Sequence, residues 1–408
     1  MKSAKPSAKP SAKPSAKPSA KASKQFTYYE FFAGGGMARA GLGSHWDCAF
    51  ANDIDPVKRA VYAANWGEAH FHAGDIAALA ADDLPATADM AWASFPCQDL
   101  SLAGRGAGLS GARSGTFWPF WSLVRALGEQ GRAPRLLVLE NVVGALSSNG
   151  GRDFAEICRA LREIGYGFGA LTIDAAHFVP QSRPRLFIVA VSEGLDAPAH
   201  LTGDAPAQPW ANAALLRAHA ALPDELRSCW RWWALPTPAA SNVRLADLIE
   251  EAPADVRWHR PEETARLVEL MAPANRRKLV AAMAAGARQV GTLYRRTRRD
   301  ENGCKAQRAE VRFDGVAGCL RTPSGGSSRQ CIVVVDGQQV RTRLLSGREA
   351  ARLMGLPDEY RLPANYNEAY HVLGDGLVAP AIRHLDHGLL TPLLGCRQSG
   401  ASDAARAA

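Results

Sequence analysis

From residue 26 to residue 191 short apolar runs alternate with helix-patterned segments, and that alternation restricts the chain to an α/β fold. Phe26 to Ala33, Asp47 to Asn52, Met90 to Phe95, Leu136 to Leu139, Gly169 to Ile173 and Leu186 to Val191 read as strands. Met37 to Leu42, Pro56 to Trp66, Phe117 to Leu127 and Phe154 to Ile164 read as helices, the second with proline in its first turn. The expected architecture is a doubly wound, mostly parallel sheet. Ligands of such a sheet bind in the crevice outside the carboxyl ends of its strands, so the residues at those ends carry the chemistry.

Two of these ends present reactive groups. Met90 to Phe95 leads into Pro96-Cys97-Gln98, with the polar Asp99 and Ser101 shortly after, and Leu136 to Leu139 ends in Glu140-Asn141. A thiol and a carboxyl facing one crevice suit covalent attack on an electrophilic carbon with an acid beside it. The thiolate is the attacking form, so a nearby donor or helix terminus is expected to lower the thiol pKa. Taken alone, Cys97 also reads as a small buried hydrophobe and Glu140 as a helix cap or ion-pair partner.

The first three strand ends suggest a nucleoside ligand. Phe32-Ala33-Gly34-Gly35-Gly36 links the first strand to the first helix, where glycines let a ligand approach the backbone. Arg39 occupies the third glycine position of the dinucleotide fingerprint and no Lys-Ser/Thr follows, so neither a dinucleotide motif nor a phosphate loop is completed. Asp53 closes the second strand and is placed to bind two ribose hydroxyls, whereas Asp55 before Pro56 fits a helix cap. Gly74-Asp75-Ile76 follows a third strand and could read an adenine edge. Gln181-Ser182-Arg183-Pro184-Arg185 precedes another strand and brings two guanidinium groups toward the same edge, although arginines there also read as solvated surface.

Charge separates the rest of the chain. The net +8 is concentrated in residues 1–24, which hold seven lysines, no acid and four Ser-Ala-Lys-Pro units; this tail reads as an extended solubilising or polyanion-tethering segment. Residues 396–408 also read as a disordered tail. Residues 276–330 hold thirteen Lys or Arg against four Asp or Glu, including Arg295, Arg296, Arg298 and Arg299. A capping-box pattern, Ser346 with Glu349, marks the return of regular helix. The expected domains are a ligand-binding unit at 25–192 that carries the strand-end chemistry, a linker and second, basic domain at 193–342, and a return to the first unit at 343–395. Eight scattered cysteines without a C-x-x-C pair argue against a zinc site or a disulfide framework, and no apolar h-region or membrane-length apolar run is present. A reducing cytoplasm is the expected compartment.

In order and spacing these motifs resemble the cytosine-C5 DNA methyltransferases, over nearly all of residues 26 to 390. The resemblance rests on Phe32 to Gly36, Phe95 to Gln98, Glu140-Asn141-Val142 and Gln181 to Arg185, then on Arg343 to Glu349, Arg352 to Asp358 and Gly374 to Pro380. It implies S-adenosyl-L-methionine as cofactor, with Phe32, Ala33, Gly34, Gly35, Gly36 and Pro96 around its methionine end. Asp53 would hold the ribose, and Ile54, Asp75 and Ile76 the adenine. Cys97 would attack cytosine C6, Glu140 would bond N3 and the exocyclic amine, and Arg183 and Arg185 would hold the nucleotide. Double-stranded DNA is the implied partner of a monomeric, nucleoid-associated enzyme, with 193–342 as its target-recognition domain and a restriction endonuclease as its companion. The implied DNA contacts are Gln98, Ser101, Arg295, Arg296, Arg298, Arg299, Arg321, Ser327, Ser328, Arg329 and Gln330. Ser94, Ile54, Asp99-Leu100 and Asp375-Gly376 depart from the common residues of that family without removing a group the chemistry needs.

The chemistry is consistent with those roles. A thiolate at C6 turns C5 into an enamine-like nucleophile, and a protonated Glu140 beside N3 absorbs the developing charge, which needs a raised pKa. The target atom is shielded in a duplex, so the base must be flipped, and a second basic domain supplies the other wall of the clamp. A tRNA cytosine-C5 methyltransferase would share the catalytic motifs, and a catalytically silent DNA-binding regulator would share the basic domain. The large basic insertion favours DNA over tRNA, and the intact Cys97, Glu140 and Arg185 favour an enzyme over a regulator. The arginines and glutamine near 321–330 lean toward a short GC-rich palindrome.

Overall fold

The computed structural model describes residues 26–96, 116–299, 303–322 and 329–395. The expectations for both tails and for Cys97, Gln98, Ser101, Ser327 and Ser328 therefore lie outside the described residues.

The alternating segments form β1 (Phe26–Phe31), α1 (Met37–Leu42), β2 (Trp46–Asp53), α2 (Pro56–Trp66), β3 (Phe71–Ala73), β4 (Met90–Ala93), α3 (Phe117–Glu129), β5 (Leu136–Val142), α4 (Arg152–Glu163), β6 (Tyr166–Asp174) and β7 (Pro184–Ser192). Among the described residues they build one seven-stranded sheet of order β3-β2-β1-β4-β5-β7-β6. The strands from β3 to β5 are parallel, and β7 runs antiparallel to both β5 and β6. This is the expected doubly wound, largely parallel sheet. The chain moves outward from β1 through β2 to β3 and then crosses to β4 on the other side of β1. The strand order reverses between β1 and β4, and a crevice opens at such a reversal.

Alternate side chains feed two cores. Tyr28, Trp92, Val138 and Val189 pack into one face, and Tyr29, Phe31, Ala93 and Leu139 into the other. A sheet covered on both faces has no polar face, hence the near-continuous apolar runs of the sequence. Asp55 caps α2 by accepting from Val57 N and Lys58 N, as its place before Pro56 suggests.

Residues beyond β7 do three things. The stretch around Trp230 clothes the outer edge of β6, where Phe168 N donates to Cys229 O and Arg231 N to Phe168 O. A second sheet, antiparallel and four-stranded, joins Lys305–Arg312, Gln289–Arg299, Cys331–Asp336 and Gln339–Leu344 in that order. It has its own apolar core of Leu293, Val311, Val333 and Leu279, the last from the helix Pro273–Ala284. The chain then returns through the helix Gly347–Leu353, where Ser346 and Glu349 form the reciprocal cap read from the sequence. Arg343 and Glu349 meet there as a fully buried ion pair at 2.5 Å.

Candidate active site

At the carboxyl ends of β1, β2, β4 and β5 lies a cavity of about 660 Å³, a common size for a small-molecule site. Phe32, Ala33, Gly34, Gly35, Asp53, Ile54, Asp75, Ile76 and Pro96 line it, together with Glu140 and Arg185. Residues expected to serve a cofactor and residues expected to serve a substrate therefore share one space.

The floor is the glycine turn after β1. Phe32, Gly34 and Gly36 have φ of 57°, 56° and 77°, a left-handed run that tightens the turn and strains Phe32, which carries a Cβ. A Cβ added at Gly34 would meet nothing within 4 Å, whereas one at Gly36 would collide with the Trp66 indole. Gly34 thus leaves room for a ligand, and Gly36 leaves room for the fold. Gly35 O is fixed by Tyr360 Oη at 2.7 Å and Trp66 Nε1 at 3.2 Å.

Asp53 organises the turn. Its Oδ2 accepts from Gly34 N and its Oδ1 from Asp55 N, both at 2.9 Å. Each carboxylate oxygen keeps a further lone pair for a hydroxyl donor. Ile54 beside it is 69% exposed, an apolar side chain offered to the cavity rather than to the core. Asp75 caps the short turn Ile76–Ala78 through Ala77 N at 2.9 Å. Asn52 ties this region together, with Nδ2 donating to His72 O and Gly74 O.

The opposite wall holds Glu140. Burial pushes its carboxyl pKa up, against the opposing pull of Arg185, Arg183 and Ser94. Arg185 Nε lies 3.3 Å from Glu140 Oε1. They meet because β7 is antiparallel to β5, with Val142 opposite Arg185, so the start of β7 and the end of β5 share an edge. Asn141 Nδ2 donates to Phe95 O at 3.2 Å and so holds the segment that leads through Pro96 to Cys97.

Several expected residues stand elsewhere. Arg183 is only 2% exposed, and it donates to Leu320 O, Gly374 O and Gly376 O at 2.6–2.8 Å. Its guanidinium thus ties the backbone at Leu320 to that at Gly374 and Gly376 from inside, rather than lining the cavity. Gln330, expected to read a base, is fully buried, and its Oε1 accepts from Tyr294 Oη. Arg295, Arg296, Arg298 and Arg299 lie on the exposed outer half of Gln289–Arg299, where Glu310 pairs with both Arg296 and Arg298. Arg321 is exposed at the end of a described stretch, and Arg329 stacks on Tyr366 with its guanidinium carbon 5.5 Å from the ring centre.

Sequence reasoning missed two ionisable groups in the cavity wall. Glu30 is buried in β1, its pKa is pushed up to about 8 by burial, with Arg39 opposing, and its Oε1 has no hydrogen-bond partner. A lone carboxyl within Phe26–Phe31 was the available signal. Lys58 pairs with Asp375 at 3.0 Å, and Asp375 also accepts from Thr322 Oγ1 at 2.5 Å; no local pattern announces a contact across 317 positions.

Comparison with known proteins gives the family and the fold. The family model for C-5 cytosine-specific DNA methylase matches residues 26–389. The chain is 25% identical to the type II methyltransferase M.HpaII of Haemophilus parainfluenzae, over 91% of this chain and 90% of that one. It is 34% identical to M.MspI of Moraxella, over 41% of this chain and 39% of that protein, so that match spans well under half of the relative. Among solved structures, Schizosaccharomyces pombe Dnmt2 aligns with a TM-score of 0.55 at 19% identity, over 90% of this chain and 99% of that one. The Entamoeba histolytica methyltransferase EhMeth aligns with a TM-score of 0.60 at 13% identity, over 91% and 99%; these two establish shared fold. With its matched span and its strand-end cavity, the chain belongs to the C-5 cytosine-specific DNA methylase family, an enzyme class that transfers a methyl group from S-adenosylmethionine.

Proposed function

We propose that the protein methylates C5 of a cytosine flipped out of a specific double-stranded DNA sequence, through a covalent bond between Cys97 and C6. The observation that carries this reading is the single cavity lined by the glycine turn, Asp53, Pro96, Glu140 and Arg185. The cavity suits the cofactor on three counts: open space above Gly34, lone pairs of Asp53 for hydroxyls, and an exposed Ile54 for a flat base. When bound, S-adenosylmethionine supplies an electrophilic methyl group on a sulfonium.

The chain's own groups do the remaining work. Cys97 adds to C6, and Glu140, whose acid form burial favours, donates to N3 as charge develops on the ring. Arg185 favours ionisation of Glu140, and that pull weakens when the pair opens, so substrate arriving at the carboxyl can exchange one partner for another. After methylation a water removes the C5 proton and Cys97 leaves by elimination. The exposed arginines of Gln289–Arg299 offer phosphate contacts on the other wall. In this reading residues 25–192 and 343–395 form the catalytic unit, 193–342 the linker and recognition domain, and a monomer acts on nucleoid DNA. Relatives named as type II methyltransferases support a companion restriction endonuclease.

The test is transfer of labelled methyl from S-adenosylmethionine to duplex DNA and to tRNA, followed by bisulfite sequencing of the DNA product. Methylation at one recurrent duplex sequence, lost in Cys97→Ser, is expected. Preferential labelling of tRNA, or full activity of Cys97→Ser, overturns the proposal.

A further inference from the structure

Away from the cavity, His45, Asp386 and His387 converge. Their candidate ligand atoms all lie within 4.8 Å of one another. His45 Nε2 is 3.0 Å and His387 Nε2 4.0 Å from Asp386 Oδ2. The carboxylate is completely buried, and its two oxygens are treated differently. Oδ1 accepts from Trp46 Nε1 at 2.9 Å and Thr391 Oγ1 at 2.7 Å. Oδ2 accepts no hydrogen bond and faces the two imidazoles. Carboxylate ligands of metals are commonly oriented in this way, one oxygen fixed by donors and the other left for the ion. Asp386 and His387 open a π-helical turn, Asp386–Leu390, and such turns recur at functional sites.

We propose that His45, Asp386 and His387 form a binding site for a divalent transition metal of the zinc class, a structural clamp unconnected with methyl transfer. Two imidazoles and one carboxylate are a borderline donor set that suits zinc. With metal–ligand bonds of about 2.0–2.1 Å, tetrahedral ligands lie roughly 3.3 Å apart, so the observed spacings require only small side-chain movements. His387 is 64% exposed and His45 27%, which leaves an entry path and a position for water. His45 precedes β2 and the other two ligands follow the helix Ala379–Leu385. An ion there would staple the C-terminal helices to the start of β2. The cavity lies at the other end of β2, roughly 23 Å away at ~3.3 Å per residue.

The experiment compares the chelator-treated full-length protein with His387→Ala, whose exposed side chain can be removed without disturbing the core. Zinc binding is measured by calorimetric titration, Co²⁺ binding by visible absorption, and stability by thermal unfolding with and without zinc. The wild type should bind one more equivalent of zinc than the variant, or bind it at least tenfold more tightly. It should also show a Co²⁺ band that the variant lacks. Saturating zinc should raise its Tm by roughly 5 °C, with no rise in the variant. Equal zinc binding by the two proteins, or an unchanged Tm in the wild type, would show that the trio is only a histidine–aspartate ion pair and overturn the proposal. Methyl transfer is read in parallel and should be equal in both proteins, so the outcome is independent of the catalytic assignment.

Discussion

Arg185 Nε stands 3.3 Å from Glu140 Oε1 at the edge where β5 ends and β7 begins. A buried acid and its only modestly exposed counter-ion thus share the cavity that also receives the glycine turn. The pair keeps opposite influences on one carboxyl: burial raises its pKa and the guanidinium restrains the rise.

Glu140→Gln preserves shape but removes the transferable proton. Its kcat should fall by about 10²–10⁴-fold, while duplex binding in a gel-shift assay should change much less. In the wild type the acid form is the active one, so kcat is expected to decline as pH rises through the elevated pKa. A variant with wild-type kcat, or a wild-type rate that climbs through that range, would remove Glu140 as the proton donor.

Glu30 gives a stability prediction with a defined sign. Its folded-state pKa of about 8 exceeds its ordinary value of 4.5. Between those values the folded state holds a proton that the unfolded state has released, so stability falls as pH rises. The contribution is full below about pH 4.5 and is lost as pH passes about 8. Urea unfolding at intervals across this range should show a flatter pH dependence for Glu30→Gln than for the wild type; identical slopes would contradict the assignment.

Gly34→Ala and Gly36→Ala should separate binding from folding. Both glycines are left-handed, so each substitution carries a backbone cost of about 1 kcal/mol. At Gly34 the new methyl enters open cavity, and affinity for S-adenosylhomocysteine should drop at least tenfold with little change in Tm. At Gly36 it meets Trp66, so unfolding should be the larger effect. Calorimetric titration beside thermal melts distinguishes the two patterns, and a reversed ranking would refute this reading.

Asp53→Ala removes the acceptor for Gly34 N and Asp55 N. Loss of hydrogen bonds to a charged group, about 1.5–3 kcal/mol each, should raise KM for S-adenosylmethionine at least tenfold. The corresponding kcat at saturation should stay within a few-fold, and steady-state kinetics checks the split.

Arg183→Ala would leave Leu320, Gly374 and Gly376 carbonyls without their buried donor. A loss of several kcal/mol is expected, because each buried acceptor left without its donor costs about 1–3 kcal/mol. Denaturant unfolding should register it, and Arg183→Lys should recover only part, because a single ammonium cannot reproduce the planar fork. A variant that melts normally but fails only in DNA binding would restore Arg183 to the substrate.

Local pattern alone determined the parallel sheet, the glycine turn, Asp53, the Asp55 cap and the strand-end position of Glu140. Each depends on neighbours a few residues away, and strand and helix periodicity makes such relations readable. Tertiary structure decided the rest. It ran β7 backwards and so set Arg185 beside Glu140. It turned Gln330 inward while leaving the adjacent Arg329 partly exposed, a choice that composition cannot make because both residue types suit DNA. It joined Lys58 to Asp375 and His45 to Asp386 across more than three hundred positions. Such contacts follow from how the two cores and the returning C-terminal helices pack, and packing is a property of the whole chain rather than of any segment.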